Sequence, residues 1–192
     1  GAEVPEDIFA FDEDTQPNPN APYAVAKYAC EKYLEYAHRS YGLPFTSIRQ
    51  TNCYGRKDND FFVTEQIISQ MIKNPQQISL GYAEPYRNFI YIEDLLSAWR
   101  TIIENPDKAA GEIFCLGPDN AIKIRDYAKL IAFHLGWDGN IVWDQKPQRP
   151  GEIYLLNSSH SKLTKMLGWE PQWSLDAGIQ KTVEYWSQQI KQ

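Results

Sequence analysis

Apolar positions along this chain recur with two periods. At a spacing near 3.6 residues, Ile124, Tyr127, Ala128, Ile131 and Leu135 mark one helix. Leu95, Leu96, Trp99, Ile102 and Ile103 mark one side of another over about residues 93–104. A third predicted helix has Pro22 in its first turn and runs to about Tyr41, where Gly42 and Pro44 stop it. Residues 63–73 read as a fourth, ended by Asn74 and Pro75, and a short helix near 161–167 and a last one over 174–190 follow. Ser174 caps the last of these and Asp176 lies in its first turn. Compact β-rich runs at 45–49, 87–92 and 112–116 read as strands, and 52–55 as the turn leaving the first of them. Strands that alternate with helices indicate an α/β protein. No internal repeat or low-complexity segment interrupts the pattern.

Composition narrows this picture. The 192 residues are 43% hydrophobic, 14% aromatic and 23% charged, which is enough to bury a real core. No apolar run approaches the roughly 18 residues of a membrane span, so no membrane partner is expected. The acidic N-terminal stretch lacks the basic and apolar regions of a secretory signal. A net charge of -6 argues against nucleic acid, whose phosphates demand neutralisation, so an anionic small ligand needs local arginines. Cys30, Cys53 and Cys115 are far apart and odd in number, as expected of reduced thiols in a cytoplasmic protein. Neither they nor the three histidines show metal-ligand spacing.

The strongest chemical signal is Tyr23-Ala-Val-Ala-Lys27, because helical residues four apart share a face. Lowering a tyrosine from a pKa of about 10 to about 7 costs roughly 4 kcal/mol. An ammonium about 4 Å away, at an effective dielectric of about 20, supplies roughly that much. A Tyr-x-x-x-Lys pair also arises on many helices by chance, so its company matters. It follows an Asn-Pro turn, and after it come Ser47-Ile-Arg-Gln-Thr-Asn-Cys-Tyr-Gly55 and Tyr86-Arg-Asn-Phe-Ile-Tyr-Ile-Glu-Asp94. Arg149-Pro-Gly-Glu152 and Leu167-Gly-Trp-Glu-Pro171 complete the order.

This ordered set resembles the extended short-chain dehydrogenase/reductase family, specifically its nucleotide-sugar epimerases and dehydratases. The resemblance implies that Tyr23 is the catalytic base and that Lys27 supports it and bonds the nicotinamide ribose of NAD or NADP, with NAD favoured. Gln50 and Thr51 fall where the family's strand end passes the nicotinamide. Asn52 resembles the asparagine that bonds the diphosphate-sugar portion of the substrate; shaping the turn before Gly55 is the other reading open for it. Arg87 and Arg149 resemble the arginines that hold the diphosphate, a task suited to planar bidentate donors. Read without the family, both are ordinary surface or strand-edge charges. Glu152 resembles the carboxylate that accepts from a nucleotide ribose, and Asp94 reads as a carboxylate favoured by a helix N-terminus. The implied partner is a nucleotide-diphosphate sugar.

The family begins with a strand, a glycine-rich turn and a helix that receives the pyrophosphate. None of the eleven glycines here forms that pattern, and only Thr15 offers a hydroxyl upstream of Tyr23, in a loop. The chain therefore reads as the C-terminal part of a Rossmann-like doubly wound parallel sheet plus a smaller α/β substrate-binding domain, truncated and inactive as it stands. Residues 1–60 read as the end of the dinucleotide-binding domain, including the Tyr-x-x-x-Lys helix. Residues 61–192 read mainly as the nucleotide-sugar domain, with segments around 88–116 returning to the first sheet. A non-catalytic nucleotide-sugar binding module, or a regulatory relative of the same fold, is the competing expectation.

Loss of the first strands predicts an exposed sheet edge that something must cover. On the first helix, Val25, Tyr36, Ala29, Tyr33, Ala26, Ala37, Cys30, Tyr41 and Leu34 fill an arc of roughly 180°, wider than the roughly 100° of a one-sided helix. That width predicts packing on two sides, one of them in a homodimer through helix 23–41.

Overall fold

The computed structural model describes residues 10–57, 59–118, 121–145 and 153–189. Its helices are α1 (Pro22–Tyr41), α2 (Val63–Lys73), α3 (Ile92–Glu104), α4 (Pro106–Ala109), α5 (Ile124–Leu135), α6 (Ser161–Leu167) and α7 (Leu175–Gln189). Its strands are β1 (Thr46–Gln50), β2 (Asn52–Tyr54), β3 (Gln77–Tyr82), β4 (Tyr86–Tyr91), β5 (Glu112–Leu116), β6 (Ala121–Lys123), β7 (Asn140–Asp144) and β8 (Leu155–Leu156). β1 and β5 pair in parallel from Thr46↔Glu112 to Gln50↔Leu116. β2 lies parallel to β4, which also takes β6 antiparallel and β8 parallel, while β3 and β7 form a separate parallel pair.

The expected turn at 52–55 is a strand over its first three residues. Asn52, Cys53 and Tyr54 pair with Phe89, Ile90 and Tyr91, and only Gly55 begins the turn. Thr51 alone separates β1 from β2, so the chain passes from one sheet to the other within a single residue. Within residues 88–116, β5 pairs with β1 and β4 pairs with β2. No described strand covers the other edge of β1.

The β2–β4 sheet is a wall shared by two cores, as period-2 alternation requires. Tyr54, Phe89 and Tyr91 face one core with Ile67, Ile68, Tyr127, Ile131 and Ile179 of α2, α5 and α7. Cys53 and Ile90 face the other with Leu95, Ala98, Ile102, Phe114 and Leu163. Phe89 and Tyr127 stack with centroids 3.8 Å apart, and Tyr54 meets both edge-on at 6.4 Å.

Two helix expectations change. On α3 the buried stripe is Leu95, Ala98 and Ile102, while Leu96 and Ile103 are 59% and 71% exposed. The apolar positions there form two i, i+3, i+7 rows about 100° apart, and only one row meets the sheet. On α1 just Glu31 and Ala37 are buried, and Val25, Tyr33, Tyr36 and Tyr41 of the wide apolar arc stay exposed. Within this chain, then, α1 does not pack on two sides.

Gly178 lets α7 lie against Tyr54: a Cβ there would stand 2.1 Å from the Tyr54 oxygen. Because that ring is locked among Phe89, Tyr91 and Tyr127, Gly178→Ala should lower the unfolding free energy by about 1–3 kcal/mol. Urea denaturation reads this directly, and an unchanged midpoint would show that the ring can yield.

Candidate functional site

Pro22 opens α1 at its first turn, and Tyr23 and Lys27 follow on one face. Lys27 Nζ stands 5.6 Å from the centre of the Tyr23 ring, and Tyr23 is 74% exposed. One turn further along the same face, Glu31 is buried, and its carboxylate takes a bidentate grip from Arg49 of β1. Nη2 donates to Oε1 at 2.7 Å and Nε to Oε2 at 3.0 Å. Ser47 Oγ adds a longer bond to the same carboxylate, and Arg49 Nη1 reaches the Glu13 carbonyl. The Glu31 hydrogen bond, more than any other cause, holds the Arg49 guanidinium above its ordinary pKa. The Glu13 carboxylate in turn accepts from the Cys115 amide of β5, docking the approach loop onto the sheet.

The candidates at the end of β1 divide. Gln50 is exposed, whereas Thr51 is buried, with its amide donating to the Leu116 carbonyl at 3.0 Å and its hydroxyl at 3.4 Å. Thr51 thus spends its side chain on the junction. Asn52 is half-buried and donates a long 3.4 Å bond to the Asn88 carbonyl. Since Asn52 pairs with Phe89, it shares a sheet face with Arg87, two residues earlier on β4. Standard strand spacings put their Cα atoms roughly 8 Å apart. Arg87 Nη1 donates to the Tyr86 carbonyl at 2.8 Å.

Arg149 and Glu152 lie outside the described residues. The chain after them returns as β8 with Leu156 in register with Arg87, and the Tyr154 carbonyl accepts from the Tyr86 amide.

Sequence reasoning gave Asp94 only a place in the first turn of α3. Its buried carboxylate also accepts from the Gln172 amide at 2.9 Å and the Trp173 amide at 3.1 Å, and burial raises its pKa against the effect of those bonds. It thereby ties α3 to the loop before α7. Glu31 and Arg49 were missed as a pair: one lies on a helix and the other in a largely polar strand, and no local pattern joins them. A cleft of about 200 Å³ lined by Tyr54, Asp94, His160 and Trp173 touches none of the candidate site residues. It belongs to the contact between elements rather than to this site.

A family model described as GDP-mannose 4,6 dehydratase matches residues 4–182. The chain belongs to this family of nucleotide-sugar epimerases and dehydratases. A putative UDP-glucose 4-epimerase of Methanocaldococcus jannaschii is 28% identical over 183 residues, covering 91% of this chain and 56% of the relative. A GDP-L-fucose synthase of Escherichia coli is also 28% identical, over 86% of this chain and 56% of its own length. Among solved structures, UDP-glucose 4-epimerase of Thermotoga maritima with UDP-glucose superposes with a TM-score of 0.87 at 29% identity, covering 99% of this chain and 60% of that one. The Thermus thermophilus UDP-glucose 4-epimerase complex with NAD gives 0.84 at 26% identity, with 96% and 60% covered. The chain thus spans little more than half the length of these relatives.

Arg49→Ala would leave Glu31 buried without its partner and should cost about 3–5 kcal/mol of stability. Arg49→Lys, a point charge without the fork, should recover only part of that loss. Equal urea midpoints for the unaltered and Ala variants would mean that something else holds α1.

Proposed function

We propose that this chain is the substrate-binding part, together with the Tyr-Lys helix, of an NAD(P)-dependent nucleotide-sugar epimerase or 4,6-dehydratase, and that it is inactive without a glycine-rich dinucleotide turn. The observation that carries this reading is the Glu31–Arg49 fork, which registers the Tyr23–Lys27 face against the strand that continues into Gln50 and Asn52. Ligands of open α/β sheets bind outside the carboxyl ends of the strands, where Gln50 ends β1 and Asn52 follows two residues later. The split between residues 1–60 and 61–192 follows the same line, with β5 returning to β1.

In this reading Tyr23 Oη takes the proton of a sugar hydroxyl, and the Lys27 ammonium favours the phenolate and bonds a ribose hydroxyl of the cofactor. Bound beside Tyr23 and Lys27, a nicotinamide, NAD before NADP, would supply the acceptor for the hydride leaving the same carbon. Tyr23, Lys27 and Gln50 are all exposed and fit the ribose and nicotinamide end of such a cofactor, while the sequence offers nothing for its pyrophosphate. Asn52, Arg87 and Arg149 would hold the diphosphate-sugar, and Glu152 the nucleotide ribose. The return of β8 beside Arg87 supports grouping Arg149 and Glu152 with it.

A second reading, a nucleotide-sugar binding module without catalysis, is favoured by one observation. The Tyr23 end of α1 stands in solvent, with residues 21–23, 25–27, 29 and 30 all exposed. For partners, we propose a homodimer in which the exposed arc of α1 meets its copy. No described helix is long and apolar enough to cross a membrane, and the three free thiols suit the cytoplasm.

Calorimetry with UDP-glucose, dTDP-glucose and GDP-mannose, in the absence of NAD, tests the substrate site. One of them should bind, and Arg87→Ala should weaken it by roughly tenfold or more, as expected for a lost charge-assisted contact. Absence of binding to all three would sink the reading, and turnover by the 192-residue chain alone would refute its inactivity. Light scattering at high micromolar concentration should show a dimer; a monomer would remove the α1 interface.

A further inference from the structure

The turn that ends the Asn52 strand is held by groups from two helices that no sequence motif pointed to. Glu65, in the first turn of α2, is fully buried, and its Oε1 accepts from both the Gly55 and Arg56 amides at 3.0 Å. Its other oxygen is buried and has no hydrogen-bond partner among the described residues. A second helix, α7, donates to the carbonyls of the same turn. Trp186 Nε1 reaches the Arg56 carbonyl at 3.1 Å, and Tyr185 Oη reaches the Lys57 carbonyl at 2.8 Å. The Arg56 guanidinium folds back onto the Cys53 carbonyl and lies 3.9 Å from the centre of the Phe62 ring.

A turn needs far less than this to form. Gly55, at φ 93°, already suits the bend, and the Tyr91 ring occupies the place of any Cβ there, 2.5 Å away. Burying a carboxylate with one oxygen unpartnered is costly, and burial indeed raises the Glu65 pKa despite the two amides. A residue kept at that cost, beside two further donors to the same turn, points to a backbone whose position matters.

We propose that Glu65, Trp186 and Tyr185 are positioning residues: they clamp the amides and carbonyls of Gly55, Arg56 and Lys57 and so hold the carboxyl end of the three-residue strand whose first residue, Asn52, meets a nucleotide-diphosphate sugar. The inference rests on the substrate reading given above. It also makes the C-terminal helix part of the site's support, although α7 carries none of the candidate ligand contacts.

Two measurements on the 192-residue chain test the clamp: amide hydrogen exchange at Gly55 and Arg56, and calorimetric affinity for whichever of UDP-glucose, dTDP-glucose or GDP-mannose binds. Glu65→Leu should speed exchange at both amides by roughly tenfold to a hundredfold and weaken affinity in step, as for loss of a charged acceptor. Glu65→Gln keeps an acceptor oxygen and should stay within about threefold of the unaltered chain on both readouts. Trp186→Phe keeps the ring and loses the donor, and should weaken affinity by roughly threefold to tenfold. If Glu65→Leu does not fold, Trp186→Phe decides by itself. Unchanged exchange, or faster exchange with unchanged affinity, overturns the clamp and leaves the substrate reading standing. If the unaltered chain binds none of the three sugars, the substrate reading fails and takes the positioning role with it.

Discussion

The Glu31–Arg49 fork is the contact on which the arrangement of this molecule turns. Helix α1 fully buries only Glu31 and Ala37, so its rotation relative to the β1–β5 pair is held chiefly by two charge-assisted bonds at 2.7 and 3.0 Å, with His38 packed against Phe45 near its other end. A planar guanidinium suits that task because it fixes an angle as well as a distance. The same arginine reaches the loop that delivers the chain to α1, and Glu13 of that loop caps a β5 amide. Helix, loop and sheet are thus joined through one polar cluster, with Tyr23 and Lys27 placed at its outer end.

Elsewhere apolar packing governs. The β2–β4 sheet serves two cores, and its alternating residues cannot be exchanged between them without turning both strands over. Asp94 and Trp169 secure the loop before α7 against α3, through bonds to Gln172, Trp173 and Ser97. That loop delivers α7 to Tyr54 across Gly178, so the side chains that surround the Asn52 strand come from widely separated parts of the chain.

Much of this was legible beforehand, for physical reasons that differ by element. Helix α2 was placed to the residue because its apolar period is strong and Asn74-Pro75 cannot continue it. The family was legible because the ordered motifs carry side chains whose chemistry is specific. β2 was misread because its three residues show no alternation of their own; its strand character comes from pairing with β4, a non-local contact. On α3, two apolar rows were present and periodicity alone does not say which faces a sheet. Charge pairing across elements escaped altogether: nothing local in Glu31, Glu65 or Arg49 announces a buried partner. Arg149 and Glu152 fall outside the described residues, so their roles rest on the motif and on where the chain returns beside Arg87.

Thr51 has a mechanical meaning. As the sole residue between β1 and β2, its two backbone torsions set how the two sheets are angled, and Leu116 holds both its amide and its hydroxyl. The sheets are therefore geared together with no slack at their junction. Any change in the angle between the sheets must be accommodated by the helices and by the segments that flank β4, not by a hinge between β1 and β2.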